Sequence, residues 1–175
     1  MVEVLTAFVR DTAPSRRPLP GEDRPKPCPA DLPVASDVQS ALAVLGRRTA
    51  AWDWRTRLDL SFTCLHHADL GGAQLHMADF RGADLTWAHL LEADLSYADL
   101  SGADLSDADL TNANLRFATL RDADLRSAGL INVDFTLANV YGADLEGAIV
   151  APEELQRAMA GATGLRGYPP GWPPR

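Results

Sequence analysis

From position 60 to position 150, every fifth residue is a large apolar one: Leu60, Leu65, Leu70, Leu75, Phe80, Leu85, Leu90, Leu95, Leu100, Leu105, Leu110, Leu115, Leu120, Leu125, Leu130, Phe135, Val140, Leu145 and Val150. Sixteen of these nineteen centres have Ala two residues earlier, the exceptions being Leu58, Thr63 and Val133, and the residue between is most often Asp. A step of five turns an α-helix by about 140°, so no apolar face forms. On one long strand, the odd spacing throws successive centres to opposite faces. The pattern is consistent with a chain that turns a corner every five residues. Ala and the centre, two apart, then point inward together, while the residue between them and the two that follow point outward. Stacked coils pair their backbones about 4.8 Å apart and are held by nearest-neighbour contacts, as in other solenoids. Proline, which removes a ladder donor, is absent from this block: seven of the twelve prolines lie between Pro14 and Pro33, and five lie at or beyond Pro152.

The unit Ala-Asp-Leu-x-x, seen at 83–85, 93–95, 98–100, 103–105 and 108–110, resembles the consensus of the pentapeptide-repeat family. The resemblance covers residues 58–150 and implies an all-β solenoid, a right-handed quadrilateral β-helix with four pentapeptides to the coil. About nineteen repeats then give nearly five coils, roughly 23 Å of stack at the usual strand spacing.

An open solenoid end exposes apolar columns and unpaired edges, and both ends read as capped. Four segments follow: 1–35, a short helix and proline-rich linker; 36–57, a helical cap and Trp lid; 58–150, the repeats; 151–175, a capping helix and proline-rich tail. Val2, Leu5, Phe8 and Val9 mark the first helix as amphipathic. Residues 2–10 also resemble the end of a longer helix in some larger bacterial members, which implies a short paralogue or a fragment. Ser36-Asp37-Val38-Gln39 reads as a capping box opening a helix through Leu45, with Val38, Leu42 and Leu45 on one face and Gly46 as its stop. Trp52 and Trp54 read as the lid. Pro152, Glu153 and Glu154 open the last helix, with Leu155, Ala158 and Met159 facing the final coil.

Charge is distributed unevenly. Asp and Glu number 24 against 16 Lys and Arg, and the net charge is −8. Residues 58–150 hold fifteen acids against four arginines, a net −11, while both flanks are close to neutral. Such a chain is not expected to bind nucleic acid directly. No apolar run approaches the ~20 residues of a membrane span, and the first ten residues lack the charged start and cleavage site of a signal peptide. Cys28 and Cys64 make no disulfide framework, so the cytoplasm is the expected location.

With twenty residues to the coil, as the resemblance implies, positions twenty apart stack on one face. One outward column reads Met77, Tyr97, Phe117, Leu137, an apolar ladder about 15 Å long of the kind that marks a contact surface. Three readings are open: the N-terminal helix and linker folded back over it, a partner or second copy of the chain seated on it, or an accident of tolerant outward positions. The protein is therefore expected as a monomer or homodimer. Two further columns are acidic: Asp59, Asp79, Asp99, and Asp84, Asp104, Asp124, Asp144. The family includes quinolone-resistance and gyrase-inhibiting proteins that look like DNA to type II topoisomerases, and the resemblance implies a type II topoisomerase as a candidate partner. Duplex DNA 23 Å long carries roughly 14 phosphate charges, comparable with the −11 of the repeats. The consensus itself places Asp in nearly every repeat, however, and Arg121 and Arg126 interrupt two faces. Gyrase-active members also dimerise through a C-terminal element, where this chain has a short plug and a proline-rich tail.

Chemistry-bearing clusters are few. Cys64, His66 and His67 share one edge of the first coil, but no second cluster completes four zinc ligands at the usual spacing, and His76 and His89 fall on other faces. No phosphate loop, nucleophile elbow or inward carboxylate pair is present. The sequence thus points to a non-enzymatic protein-interaction module with no cofactor and no metal. The acidic DNA mimic is the alternative, and a structural role within a larger chain is a third.

Overall fold

The backbone closes on itself every twenty residues. Parallel bridges join Asp59 to Asp79, Cys64 to Asp84, Asp69 to His89 and Gln74 to Asp94, and the register holds to Asp124 with Asp144. Two short strands, β1 (Gly129–Leu130) and β2 (Ile149–Val150), continue it, with Gly129 opposite Ile149. Four pentapeptides therefore make one coil, the number that spacing alone left open. The computed structural model describes residues 2–13, 28, 34–47 and 57–150. The linker, the Trp52 and Trp54 lid, and the C-terminal plug and tail lie outside the described residues.

In the middle coils, three amides of each pentapeptide bind neighbouring coils. Around Leu85, the Leu85 and Trp87 amides donate forward to the Asp104 and Ser106 carbonyls, at 2.7 and 3.1 Å, while Asp84 donates back to Thr63 at 2.9 Å. The corner is a second hydrogen bond of fixed form: Ala68 N–H to Leu65 carbonyl at 3.0 Å, repeated at Ala73, Ala78, Ala83 and onward. The second residue after each centre has positive φ from Phe62 to Gly147, thirteen of them non-glycine with φ between 54° and 60°. A turn with positive φ only at its third residue is type II. Corner geometry thus demands a left-handed residue every fifth position, which the apolar spacing did not reveal.

The interior is the expected Ala and Leu stack. Every centre from Leu60 to Leu145 is buried, at 0–2% exposure, and Val150 is partly buried. Leu58, Thr63 and Val133, which stand in the Ala column, are equally buried, so the column accepts side chains larger than Ala.

Two helices precede the first coil: α1 (Val2–Thr12) and α2 (Ser36–Gly46). Val9 of the first and Ala13 just after it, and Val38, Ala41, Leu42 and Leu45 of the second, join the solenoid core. Phe8, expected on the apolar face of α1, is instead 38% exposed. The capping box does not form: the N-cap is Ala35, with no side-chain cap bond. Asp37 Oδ1 takes the adjacent Val38 amide, and Ser40 Oγ donates to the Ser36 carbonyl. α2 instead meets the free edge of the first coil. The Gln39 side-chain amide pairs with Asp69 in both directions, donating to its carbonyl at 2.7 Å and accepting its amide at 2.9 Å. One side further on, the Gly46 carbonyl accepts from Gln74 at 2.8 Å. A side chain at 46 would put its Cβ 2.7 Å from Ala73 Cβ, so glycine permits that approach. These contacts satisfy an edge that would otherwise be open to pairing.

Candidate interaction surface

The apolar ladder is built at one corner of the coil. Met77, Tyr97, Phe117 and Leu137 all occupy the left-handed position, with φ of 58–60°, and all are exposed, at 44, 58, 38 and 67%. The Tyr97 and Phe117 rings stack with centroids 4.7 Å apart and planes 10° off parallel. The Arg116 guanidinium lies 5.7 Å from the Phe117 centroid and forms an ion pair with Asp134 at 3.2 Å. α1 does not cover this ladder; it sits at the first coil, where Arg10 pairs with Asp59 at 2.9 Å.

The other three corners carry different residues. They read Phe62, Gly82, Gly102, Asp122, Gly142; His67, Trp87, Asp107, Ser127, Gly147; and Gly72, Glu92, Asn112, Asn132. Gly, Asn and Asp, the residues that tolerate positive φ best, predominate there and are absent from the ladder. Apolar exposure beyond the ladder includes Trp87, which stacks on His67 at 6.2 Å, and Leu91, Ile131, Tyr141 and Ile149. Leu91 and Ile131 share one outward column with Gly71 and Thr111, a column that the same twenty-residue register, started at position 71, would have exposed.

The acidic columns do stack, but largely as structure. Asp59, Asp79 and Asp99 are successive bridge partners, as are Asp84, Asp104, Asp124 and Asp144. Wherever Asp stands between the Ala-column residue and the centre, its Oδ1 accepts the amide two residues on: Ser61 on Asp59, Thr86 on Asp84, Ser106 on Asp104, Glu146 on Asp144. Asn114 and Asn139 do the same for Arg116 and Tyr141. Asp79 and Asp84 are buried, at 4 and 8%. Arg81 grips Asp79 at 2.7 Å, and Arg57 lies 3.6 and 3.7 Å from Asp79 and Asp99. In the second column, Arg126 pairs with Asp124 at 2.6 Å. Burial there opposes ionisation, yet the Arg126 side-chain and backbone bonds with its charge keep the Asp124 carboxyl below its usual range. Asp109 is lowered by the Thr111 hydroxyl and amide. Asp59 and Asp134 are lowered as well: burial opposes, but bonds from Ser61 and Arg10, and from Thr136 and Arg116, prevail.

Sequence reasoning left Cys28 and Cys64 unpaired; the structure bonds them, with Cα atoms 5.7 Å apart across 36 residues of sequence. Their separation along the chain hid the pairing, because the N-terminal arm returns to the first coil at Cys28. His66 is partly buried and His67 exposed, while His89 bridges Asp69 and Asp109 on another face. Among the described residues, no helix is long and apolar enough to cross a membrane.

A scan of protein families matches pentapeptide repeats, in eight copies, over residues 56–90, 88–126 and 113–149. Among solved structures, a pentapeptide repeat protein of the Arabidopsis thaliana thylakoid lumen is 34% identical over 62% of this chain and 75% of its own, with a TM-score of 0.59. The alr5209 pentapeptide repeat protein of Nostoc is 37% identical over 59% of this chain and 83% of its own, with a TM-score of 0.32. QnrB1, a plasmid-mediated fluoroquinolone resistance protein, is 28% identical over 49% of this chain and 46% of its own, with a TM-score of 0.26. A search of curated proteins finds no match.

Proposed function

Because the chain belongs to the pentapeptide-repeat family, we propose that it works as a non-enzymatic protein-interaction module, with Met77, Tyr97, Phe117 and Leu137 as its contact surface. One observation carries the reading. The ladder is the corner column made wholly of large apolar residues, all solvent-exposed, at positions where such residues are disfavoured. Its central Tyr97 and Phe117 stack offers the rigid aromatic anchor that binding hot spots favour. Several finer statements accompany it. The coil is right-handed, holds nineteen repeats and is closed at both ends. The protein binds no nucleic acid directly, is a monomer or homodimer, and works in the cytoplasm, where Cys28 and Cys64 would be held as thiols. The topoisomerase reading is the weaker one, because arginines and backbone amides occupy much of the two acidic columns.

The test is capture from native lysate with wild-type protein and with the Tyr97→Ser, Phe117→Ser double variant. A partner held by the wild type and lost by the folded variant supports the reading; equal capture by both overturns it. A gyrase supercoiling assay addresses the alternative, which fails if micromolar protein neither inhibits the enzyme nor protects it from a quinolone.

A further inference from the structure

Two cysteines, an imidazole and a carboxylate converge on the second side of the first two coils. Cys64 and His66 lie two residues apart and Asp84 one coil on, opposite Cys64 in the parallel register. Cys28 approaches from the N-terminal arm. The donor atoms of Cys28, His66 and Asp84 all lie within 4.8 Å of one another, and the Cys64 sulfur adjoins them through its bond to Cys28. Cys64 and Asp84 are buried, at 3 and 8%. Asp84 is oriented by Thr86, whose amide and hydroxyl hold Oδ1 at 3.1 and 2.7 Å. Both ring nitrogens of His66 are shielded from solvent and make no hydrogen bond. An imidazole left so is costly, and a metal would satisfy one of its two nitrogens.

We propose that the reduced chain binds one zinc ion at this place, with the Cys28 and Cys64 thiolates, one His66 nitrogen and one Asp84 carboxylate oxygen as its four ligands. The set suits zinc, since two sulfurs and a nitrogen disfavour magnesium and calcium. Zinc bonds of about 2.3 Å to sulfur and about 2.0–2.2 Å to nitrogen and oxygen imply donor separations of roughly 3.3–3.8 Å. Donors now within 4.8 Å must close by about 1 Å, and the two sulfurs must part, which requires reduction. In that step a dithiol reductant attacks the disulfide and becomes a disulfide itself. Its two electrons and two protons pass to the Cys28 and Cys64 sulfurs, which become thiols. Zinc then displaces both protons to solvent. The arm stays fastened to the first coil in either state, by a covalent bond when oxidised and by the metal when reduced. A reducing compartment and a cysteine pair are thereby compatible.

The experiment titrates the full-length protein, reduced or oxidised, with zinc against a chromophoric zinc chelator. The reduced wild type should take up one equivalent and the oxidised protein none. Cys28→Ser and His66→Gln should each weaken binding by at least the roughly 10–100-fold that outer-shell changes cost. His67→Gln, whose ring stacks on Trp87 instead, should bind as wild type. No stoichiometric uptake by the reduced protein overturns the proposal, as does equal affinity in wild type and folded His66→Gln, the signature of a bare dithiol chelate. Should His66→Gln not fold, cobalt(II) in the wild type decides: four-coordinate bands with thiolate charge transfer support the site, and a weak six-coordinate spectrum overturns it.

Discussion

Replacing Asp104 separates the two roles that an acidic column could have. Its Oδ1 accepts the Ser106 amide at 3.2 Å and the Ser106 hydroxyl at 2.7 Å, and it lies in the middle of the stack, bridged to Asp84 and Asp124. Asp104→Ala removes the acceptor of both bonds and leaves an amide at a tight corner without a side-chain partner. Two bonds at a net of about 0.5–1.5 kcal/mol each put the loss at about 1–3 kcal/mol. For a chain of this length, that lowers the melting temperature by roughly 2–12 °C at about 2–4 °C per kcal/mol. Asp104→Asn keeps an oxygen where Oδ1 stands, as Asn114 and Asn139 already do in this chain. It should retain most of the stability while removing the charge. Urea denaturation followed by far-UV circular dichroism reads the difference as a shift of midpoint at constant slope. If the Asn and Ala variants are equally destabilised, the charge rather than the oxygen matters, and the structural account of the acidic columns fails.

Acid should weaken the fold through the same carboxylates. The folded pKa values of Asp59, Asp109, Asp124 and Asp134 lie below the ordinary 3.8, so their contribution is complete above the unfolded value and is lost as pH falls through the lower folded values. Thermal melts should hold steady from pH 7 to about 5 and drop below about 4, with a shallower drop in Asp124→Asn. Gly46→Ala forces a Cβ to within 2.7 Å of Ala73 Cβ; overpacking of this kind costs about 1–3 kcal/mol, readable as a lower melting temperature. Leu115→Ala empties a fully buried site and should cost about 2.7–5 kcal/mol. Phe117→Gly, by contrast, relieves a left-handed residue worth about 1–2 kcal/mol while losing a stack worth about 0.5–1.5. Its midpoint should move by less than half as much as that of Leu115→Ala.

The core was legible because Leu and Ala must face inward at every repeat, and burial leaves those positions little choice. The Ala83-Asp84-Leu85 unit announces its own two-residue alternation, and the stacking register follows once a coil is known to be twenty residues. The corner conformation was not legible from apolar spacing, because Trp87, Tyr97 and Phe117 are poor advertisements for positive φ. Gly72, Gly82 and Gly102, each at the left-handed position, were the available signal. The false capping box at Ser36 has a plain cause: tertiary contacts of Gln39 with the Asp69 backbone claim the side chain that the local motif would use. Cys28 could not be placed at Cys64, since the return path of residues between α1 and α2 has no periodic pattern. The same gap kept the Cys28, His66 and Asp84 grouping out of a sequence reading that saw only Cys64, His66 and His67.

In the repeats that carry Asp or Asn at the middle position, three of five residues are committed to the scaffold: the Ala-column residue and the centre fill the core, and the Asp or Asn between them binds the amide two positions later. Selection for a partner can therefore act freely only on the two corner residues. The net −11 of residues 58–150 arises mainly at the committed position, so it carries little information about what the protein binds. The second corner residue is different, because its positive φ favours Gly, Asn and Asp. Any column departing from those types bears a conformational cost at every coil, of about 1–2 kcal/mol per residue. The column of Met77, Tyr97, Phe117 and Leu137 departs four times in succession, without a compensating burial among its exposed side chains. A cost sustained across four coils at one corner, while the neighbouring corners relax to Gly102, Asn112 and Gly142, is the ground on which we propose a contact surface there rather than drift at tolerant positions.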